Sequence, residues 1–177
     1  MNNNKFMELV LKRFSCRRFS RRPIEKEKIA SVIDAARFSP SACNGQPWKV
    51  HVVLPGEKRE RVATALQQFG MNKFASDAPV FLVITEEKGS LLPAAADLIK
   101  KVDYTALDIG IFTAHLALAA TSAGLSSCII GWFNARSIQK VLKTKRKIRL
   151  VIALGYGEAE AGRKKRKHIN EIMEFHE

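Results

Sequence analysis

Apolar positions along the chain switch between a helical and a strand period, and the switches predict its elements. In residues 6–13 (FMELVLKR), Phe6, Leu9 and Val10 recur at helical spacing, predicting a short amphipathic helix. After Pro23, the stretch EKEKIASVIDAARFS sets Ile29, Val32, Ile33 and Ala36 on one face. Its first turn carries Glu25 and Glu27, where the helix dipole favours negative charge. Residues 50–54 (VHVVL) predict a strand, Pro55 and Gly56 a turn, and residues 58–69 (KRERVATALQQF) another amphipathic helix. Residues 79–85 (PVFLVIT) are almost continuously apolar and β-branched, the pattern of a strand covered on both faces.

Residues 86–101 are weakly patterned. Residues 103–124 then predict a long Ala- and Leu-rich helix that stops on Gly124. Because this helix is apolar on most sides from Ile109 through Ala123, it belongs in a core or between subunits. Residues 128–131 (CIIG) predict a short strand, 138–142 a short helix, 150–155 (LVIALG) a strand, and 169–175 a terminal helix or strand. With no internal repeat, low-complexity tract or linker, the 177 residues predict one mixed domain, with residues 1–5 frayed and three or four core strands. No apolar run approaches the length needed to span a bilayer, and the start does not resemble an export signal, so the expected setting is cytoplasmic, away from membranes.

Composition adds little to this picture, whereas charge adds more. A hydrophobic content of 46% supplies an ample core. Three widely spaced cysteines and four scattered histidines lack the spacing of a metal site, so free thiols and no metal are expected. The formal net charge is +13, much of it in residues 140–149 (KVLKTKRKIR) and 163–167 (RKKRK). A nucleic-acid surface would interleave aromatic or amide side chains with such runs, and neither run does; solvated basic faces are the reading they support.

Three stretches carry candidate chemistry. In RFSCRRF, Arg13, Ser15 and Arg17 alternate, so an extended backbone turns two guanidinium groups and a hydroxyl the same way, around an anion or simply into water. The loop SPSACNGQPWKV, residues 39–50, offers Ser41, Asn44 and Gln46, which suit either a planar polar ligand or the loop's own backbone, with Trp48 as an anchor on the sheet. In GLSSCIIGW, residues 124–132, Gly131 permits close backbone approach.

Taken in order, these pieces resemble the nitroreductase family of FMN-dependent oxidoreductases. Its R-x-S-x-R segment is matched by Arg13, Ser15 and Arg17, and its A-x-x-(S/A)-P-S-x-x-N-x-Q-P-W element by residues 36–48. Asp108, Gly110 and residues 124–128 match its D-x-G helix and GLGSC-like segment, and residues 153–156 with Lys164 and Arg166 match its ALGY strand and basic K-x-R. Phe14, Ser126 and Gly157 depart from the common pattern.

The resemblance implies an α+β three-layer sandwich, a mixed, mainly antiparallel sheet flanked by helices, and a homodimer with FMN at its interface. It implies that Arg13, Ser15, Lys164 and Arg166 hold the phosphate and ribityl end, with Arg17 near the pyrimidine edge of the ring and Phe14 among the cofactor-binding positions. Pro40, Ser41 and Ala42, with Asn44 and Gln46, would reach the flavin of the partner subunit, and Ile130 and Gly131 would present backbone to it. The implied activity is ping-pong hydride transfer from NAD(P)H through FMN to a nitroaromatic, quinone or similar acceptor, with no catalytic side chain because the flavin carries the chemistry. Residues 85–103 are where relatives roof the site. Other flavin chemistry, such as dehalogenation or flavin fragmentation, and a non-catalytic flavin-binding or basic-surface protein are the alternatives.

Overall fold

The computed structural model describes residues 3–88, 102–158, 162 and 164–176. Helices are α1 (Asn3–Lys12), α2 (Lys26–Ala36), α3 (Glu57–Leu66), α4 (Tyr104–Ser122) and α5 (Ala135–Leu142). Strands are β1 (Trp48–Val53), β2 (Val80–Glu86), β3 (Ser126–Ile130) and β4 (Ile148–Gly155). The strands pair antiparallel in the order β1-β2-β4-β3. Among the described residues, parallel pairing is confined to a single bridge between Ser15 and Ser127.

The apolar run in β2 dictates the layering. Successive side chains point to opposite faces, so a strand apolar at every position needs cover on both. Phe81 and Val83, with Val151 and Ala153 of β4, pack with Val62 and Leu66 of α3 and Ile138 of α5. Val80, Leu82 and Ile84, with Ile152 and Leu154, pack on the other side with Val32 of α2 and Ile109, Phe112 and Leu116 of α4. The result is the helix–sheet–helix sandwich that the resemblance implies, each buried large side chain contributing about 1.5–3 kcal/mol.

Element ends differ from the periodicity where side chains cap them. α3 stops at Leu66, not at residue 69, because Asn72 Nδ2 takes the Leu66 carbonyl at 3.1 Å while Phe69 turns left-handed, φ 53°. α5 starts at Ala135 rather than 138 because the Asn134 side chain accepts from the Ser137 amide at 3.1 Å. α4 ends as expected before Gly124, whose φ of 73° lets the Leu125 amide return to the Ala120 carbonyl at 2.8 Å. The terminal helix or strand expected at 169–175 is corrected to one short turn, Ile169–Glu171, since Ile172, Met173 and Phe175 find nothing to bury them and stay exposed. α4 also corrects the expectation about apolar runs: at 19 residues and mean hydropathy 1.2, its length and composition alone suffice to cross a membrane. Here one side of it lies against the sheet and the opposite stripe, Leu107 and Ile111, is 56% and 39% exposed.

Beneath α3, the buried Arg59 guanidinium donates to the carbonyls of Ala75, Ser76 and Ala78 and lies 5.5 Å from the Phe81 ring centroid. Its planar fork satisfies carbonyls at and just beyond the end of the short helical turn Lys73–Ser76. At the other end of the sheet, Arg149 joins Glu86 of β2 to Asp103, whose carboxylate also accepts from the Ala106 amide at 2.8 Å and so caps α4. Burial pushes the Asp103 carboxyl up, but the Ala106 amide and Arg149 outweigh it and hold the group below its ordinary 3.8.

Arg59→Met is expected to lower the free energy of unfolding in urea by about 3 kcal/mol, since buried carbonyls left unpartnered cost ~1–3 kcal/mol each. Arg59→Lys restores only part of it; a loss below about 1 kcal/mol in both variants contradicts this role. Because the Asp103 carboxyl is depressed in the folded state, its contribution is complete above the ordinary value of 3.8 and is lost as pH falls through the lower folded value. Asp103→Asn should therefore flatten the acid limb of the Tm–pH curve, and an unchanged limb would count against the cap.

Candidate active site

After α1 the chain becomes extended because it adds itself to the free edge of β3. The Cys16 amide donates to the Ser127 carbonyl at 2.9 Å, the Ser20 amide to the Tyr156 carbonyl at 2.8 Å, and the Glu158 amide to the Arg18 carbonyl at 3.0 Å. Cys16 is fully buried and Phe14 packs half-buried on the same core, while Arg17 is exposed, as alternation requires. Gly157 is fixed by this fit: a Cβ there would stand 2.9 Å from the Ser126 Cβ and 3.0 Å from the Cys16 sulfur. Tyr156 ties the segment to α2, its hydroxyl donating to Glu25 at 3.0 Å and accepting from Lys28 at 3.1 Å.

This edge is cationic. Arg13 and Ser15 are half-buried, and among the described residues Arg13, Arg17, Lys164 and Arg166 form no ion pair with a carboxylate. Burial pushes the Cys128 thiol of β3 up, and the positive charges of Arg17 and Lys164 act against that. Arg166 is exposed, its guanidinium donating to the Lys165 carbonyl at 3.3 Å. At the C-terminal end of β3, the Ile130 side chain is buried in the core, so only its backbone faces outward chemistry. Gly131 follows, exposed, with no atom within 4 Å of where its Cβ would stand.

The loop before β1 is held by its own polar groups and by one distant carboxyl. Asp108 of α4, 6% exposed, accepts from the Ala42 amide at 3.0 Å. The Ser41 hydroxyl accepts from the Gln46 amide at 3.0 Å, and the Gln46 side chain donates to the Asn44 carbonyl and side chain, both at 3.2 Å. Cys43, Asn44 and Gln46 have φ of 50°, 51° and 45°, a concentration of left-handed non-glycine residues that costs on the order of 1 kcal/mol or more each. Pro40, Asn44 and Gln46 are exposed and Ser41 and Ala42 half-buried. The Trp48 ring stacks on Phe112 at 4.5 Å and 14°, so it anchors the loop to α4 rather than to the sheet alone.

The two halves of the expected site are thus not together within one chain. Arg13, Ser15, Arg17, Lys164 and Gly131 belong to the β3 edge, whereas the loop of residues 40–46 leads into β1, the opposite edge, about 14 Å away at three strand spacings. The periodicity missed a third contributor. Residues 67–76, taken in part as the end of a helix, instead fold under the β3 end: the Phe74 ring lies 5.8 Å from the Arg17 guanidinium, and Asn72 Nδ2 donates to the Trp132 carbonyl at 3.2 Å. The only signal for this in the sequence is the crowding of Phe69, Gly70, Asn72 and Phe74 after a helical run. The expected roof lies largely in residues 89–101, outside the described residues.

Known proteins share this fold. The sequence model of the nitroreductase family covers residues 10–70 and 66–156. An oxygen-insensitive NADPH nitroreductase of Helicobacter acinonychis is 27% identical across 98% of this chain and 97% of its own length. A nitroreductase family protein from Streptococcus pneumoniae superposes with a TM-score of 0.80 at 24% identity, over 97% of this chain and all of its own. A Staphylococcus epidermidis structure provisionally named an NAD(P)H:FMN oxidoreductase gives 0.79 at 22% identity, over 99% of this chain and 96% of its own. Because that family's sequence model spans most of its length, the chain belongs to the nitroreductase family.

Proposed function

We propose that this oxidoreductase is an FMN-dependent homodimer that takes hydride from NAD(P)H and passes it to a nitroaromatic, quinone or similar small acceptor. The observation that carries the reading is the cationic segment bridged to β3, the strand whose C-terminal end leads into an exposed Gly131: among the described residues Arg13, Arg17 and Lys164 stand without carboxylate partners. Such a set fits a phosphate monoester joined to a planar ring. Bidentate guanidinium forks and the Ser15 hydroxyl suit the phosphate, and a glycine backbone lets a flat ring approach. The names of the Helicobacter and Staphylococcus proteins, an NADPH nitroreductase and an NAD(P)H:FMN oxidoreductase, support the choice of donor and flavin.

The separation of the two half-sites supports a dimer. A second copy related by a two-fold axis brings its residues 40–46 to this chain's β3 edge, and each copy completes the other's site. The exposed stripe of Leu107 and Ile111 on α4, together with the exposed Phe6, Met7, Val10 and Leu11 of the α1 that packs on it, supplies apolar surface for that contact. Bound FMN would supply the hydride acceptor and donor chemistry. The chain's own part is to hold the phosphate with Arg13, Ser15 and Lys164, to set the positive Arg17 at the ring edge, and to aim main-chain N–H groups at residues 130–131 toward it. The partner's loop, pinned through Asp108, would cover the ring and exclude water.

The purified protein should be yellow, or become so with added FMN. Replacing Arg13 and Lys164 together by Ala should weaken FMN retention about 100-fold, two charge-assisted contacts at roughly 1.4 kcal/mol each. A protein that cannot be loaded with FMN contradicts the reading, and wild-type affinity in the double variant contradicts the phosphate assignment.

A further inference from the structure

A groove of about 380 Å³ lies between α3 and α5, and nothing in the flavin site uses it. Its size falls within the range of small-molecule sites, roughly 300–1,000 Å³. Arg61, Thr64, Ala65 and Gln68 form one wall, at intervals of three and four along α3 and the turn that follows it. Asn134, Ser137, Lys140 and Val141 form the other, so Ala65 and Val141 give an apolar floor beneath polar rims.

We propose that this groove binds the phosphorylated adenosine end of NADPH while the nicotinamide end reaches the Gly131 edge; the assignment rests on the reading of the preceding subsection and names where the donor is selected.

Charge is the first argument. Among the described residues the Lys140 ammonium, the Gln68 amide and the Ser137 hydroxyl have no hydrogen-bonding or ionic partner, so one cation and two neutral groups are left facing the same space. Arg61 has only Glu57, at 3.6 Å on an exposed helix face, a pairing weak enough for a phosphate dianion to displace. The basic run of residues 140–149 begins at this groove and would draw an anion toward it.

Position is the second. The Asn134 amide donates to the Ala65 carbonyl at 2.9 Å, which joins the two walls at the end nearest the flavin edge. From Gly131 to Asn134 the chain spans no more than about 11 Å, so a dinucleotide bridges the two places within its own length. Phe69, next to Gln68, and Trp132, two residues before Asn134, are 88% and 55% exposed and meet at 6.4 Å and 57°. Exposed rings at that junction offer a face on which a purine stacks.

The test is calorimetric titration of the purified holoprotein with adenosine 2′,5′-bisphosphate, 5′-AMP and inorganic pyrophosphate, with stopped-flow reduction by NADPH and by reduced nicotinamide mononucleotide, which lacks the adenosine. The bisphosphate should bind more tightly than either of the other two. Lys140→Ala and Arg61→Ala should each weaken it about tenfold and raise the KM for NADPH by a similar factor relative to that for reduced nicotinamide mononucleotide. Both residues are exposed and neither packs in the core, so the variants should fold as wild type. If wild type is reduced by NADPH and the variants bind the bisphosphate unchanged, this inference falls and the oxidoreductase reading stands. Pyrophosphate binding as tightly as the bisphosphate would make the groove an undirected anion surface and overturn it equally. A flavin-loaded wild type that neither nucleotide reduces removes the donor reading and this inference with it.

Discussion

Two-sided burial of β2 and β4 is the constraint from which the rest of the molecule follows. A strand that is apolar at every position, as from Val80 to Ile84, cannot show either face to water. Helices must therefore cover both faces of the sheet, α2 and α4 on one and α3 and α5 on the other. Neither face is left for chemistry, and polar function is displaced to the sheet's edges and strand ends.

The two edges are managed differently. At β3 the segment around Ser15 bridges to Ser127, with the Cys16 amide on the Ser127 carbonyl, and so carries Ser15 and Arg17 along that edge just after α1. At β1 the chain arrives through a loop that holds three left-handed residues, and the strain is tolerated because Asp108, Ser41 and the stack of Trp48 on Phe112 fix it from several sides. The loop is thus held firmly while Pro40, Asn44 and Gln46 stay exposed. α4 links the two features: its buried side closes the core, Asp108 holds the loop, and Leu107 and Ile111 stay outward.

Period and composition made the layers legible in the sequence. The unbroken run of residues 79–85, the helical faces of α2 and α3 and the Gly124 stop all appear where they were expected. The motif order made the family legible, and the alternation of Arg13, Ser15 and Arg17 anticipated an extended segment, although its seat on Ser127 is a long-range pairing that no local pattern encodes. The fold under the β3 end was hidden for a similar reason: it depends on Asn72 reaching the carbonyls of both Leu66 and Trp132, residues far apart in sequence. The tail was misread because Ile169, Ile172 and Phe175 have helical spacing but no surface in the single chain to bury it. Apolar spacing predicts an element only where a partner surface exists.

The central claim is that each flavin site is shared, with the phosphate arm from one chain and the loop from another, and subunit complementation tests it most directly. One chain would carry Arg13→Ala with Lys164→Ala, which disables the arm, and the other Asp108→Ala, which releases the loop; each alone should purify with little flavin. Co-expressed and assorted at random, they should recover about a quarter of the wild-type flavin content, because only mixed dimers contain one site with an intact arm and an intact loop. No recovery in mixed dimers isolated by two affinity tags would mean that arm and loop serve the same chain, and the shared site would be wrong.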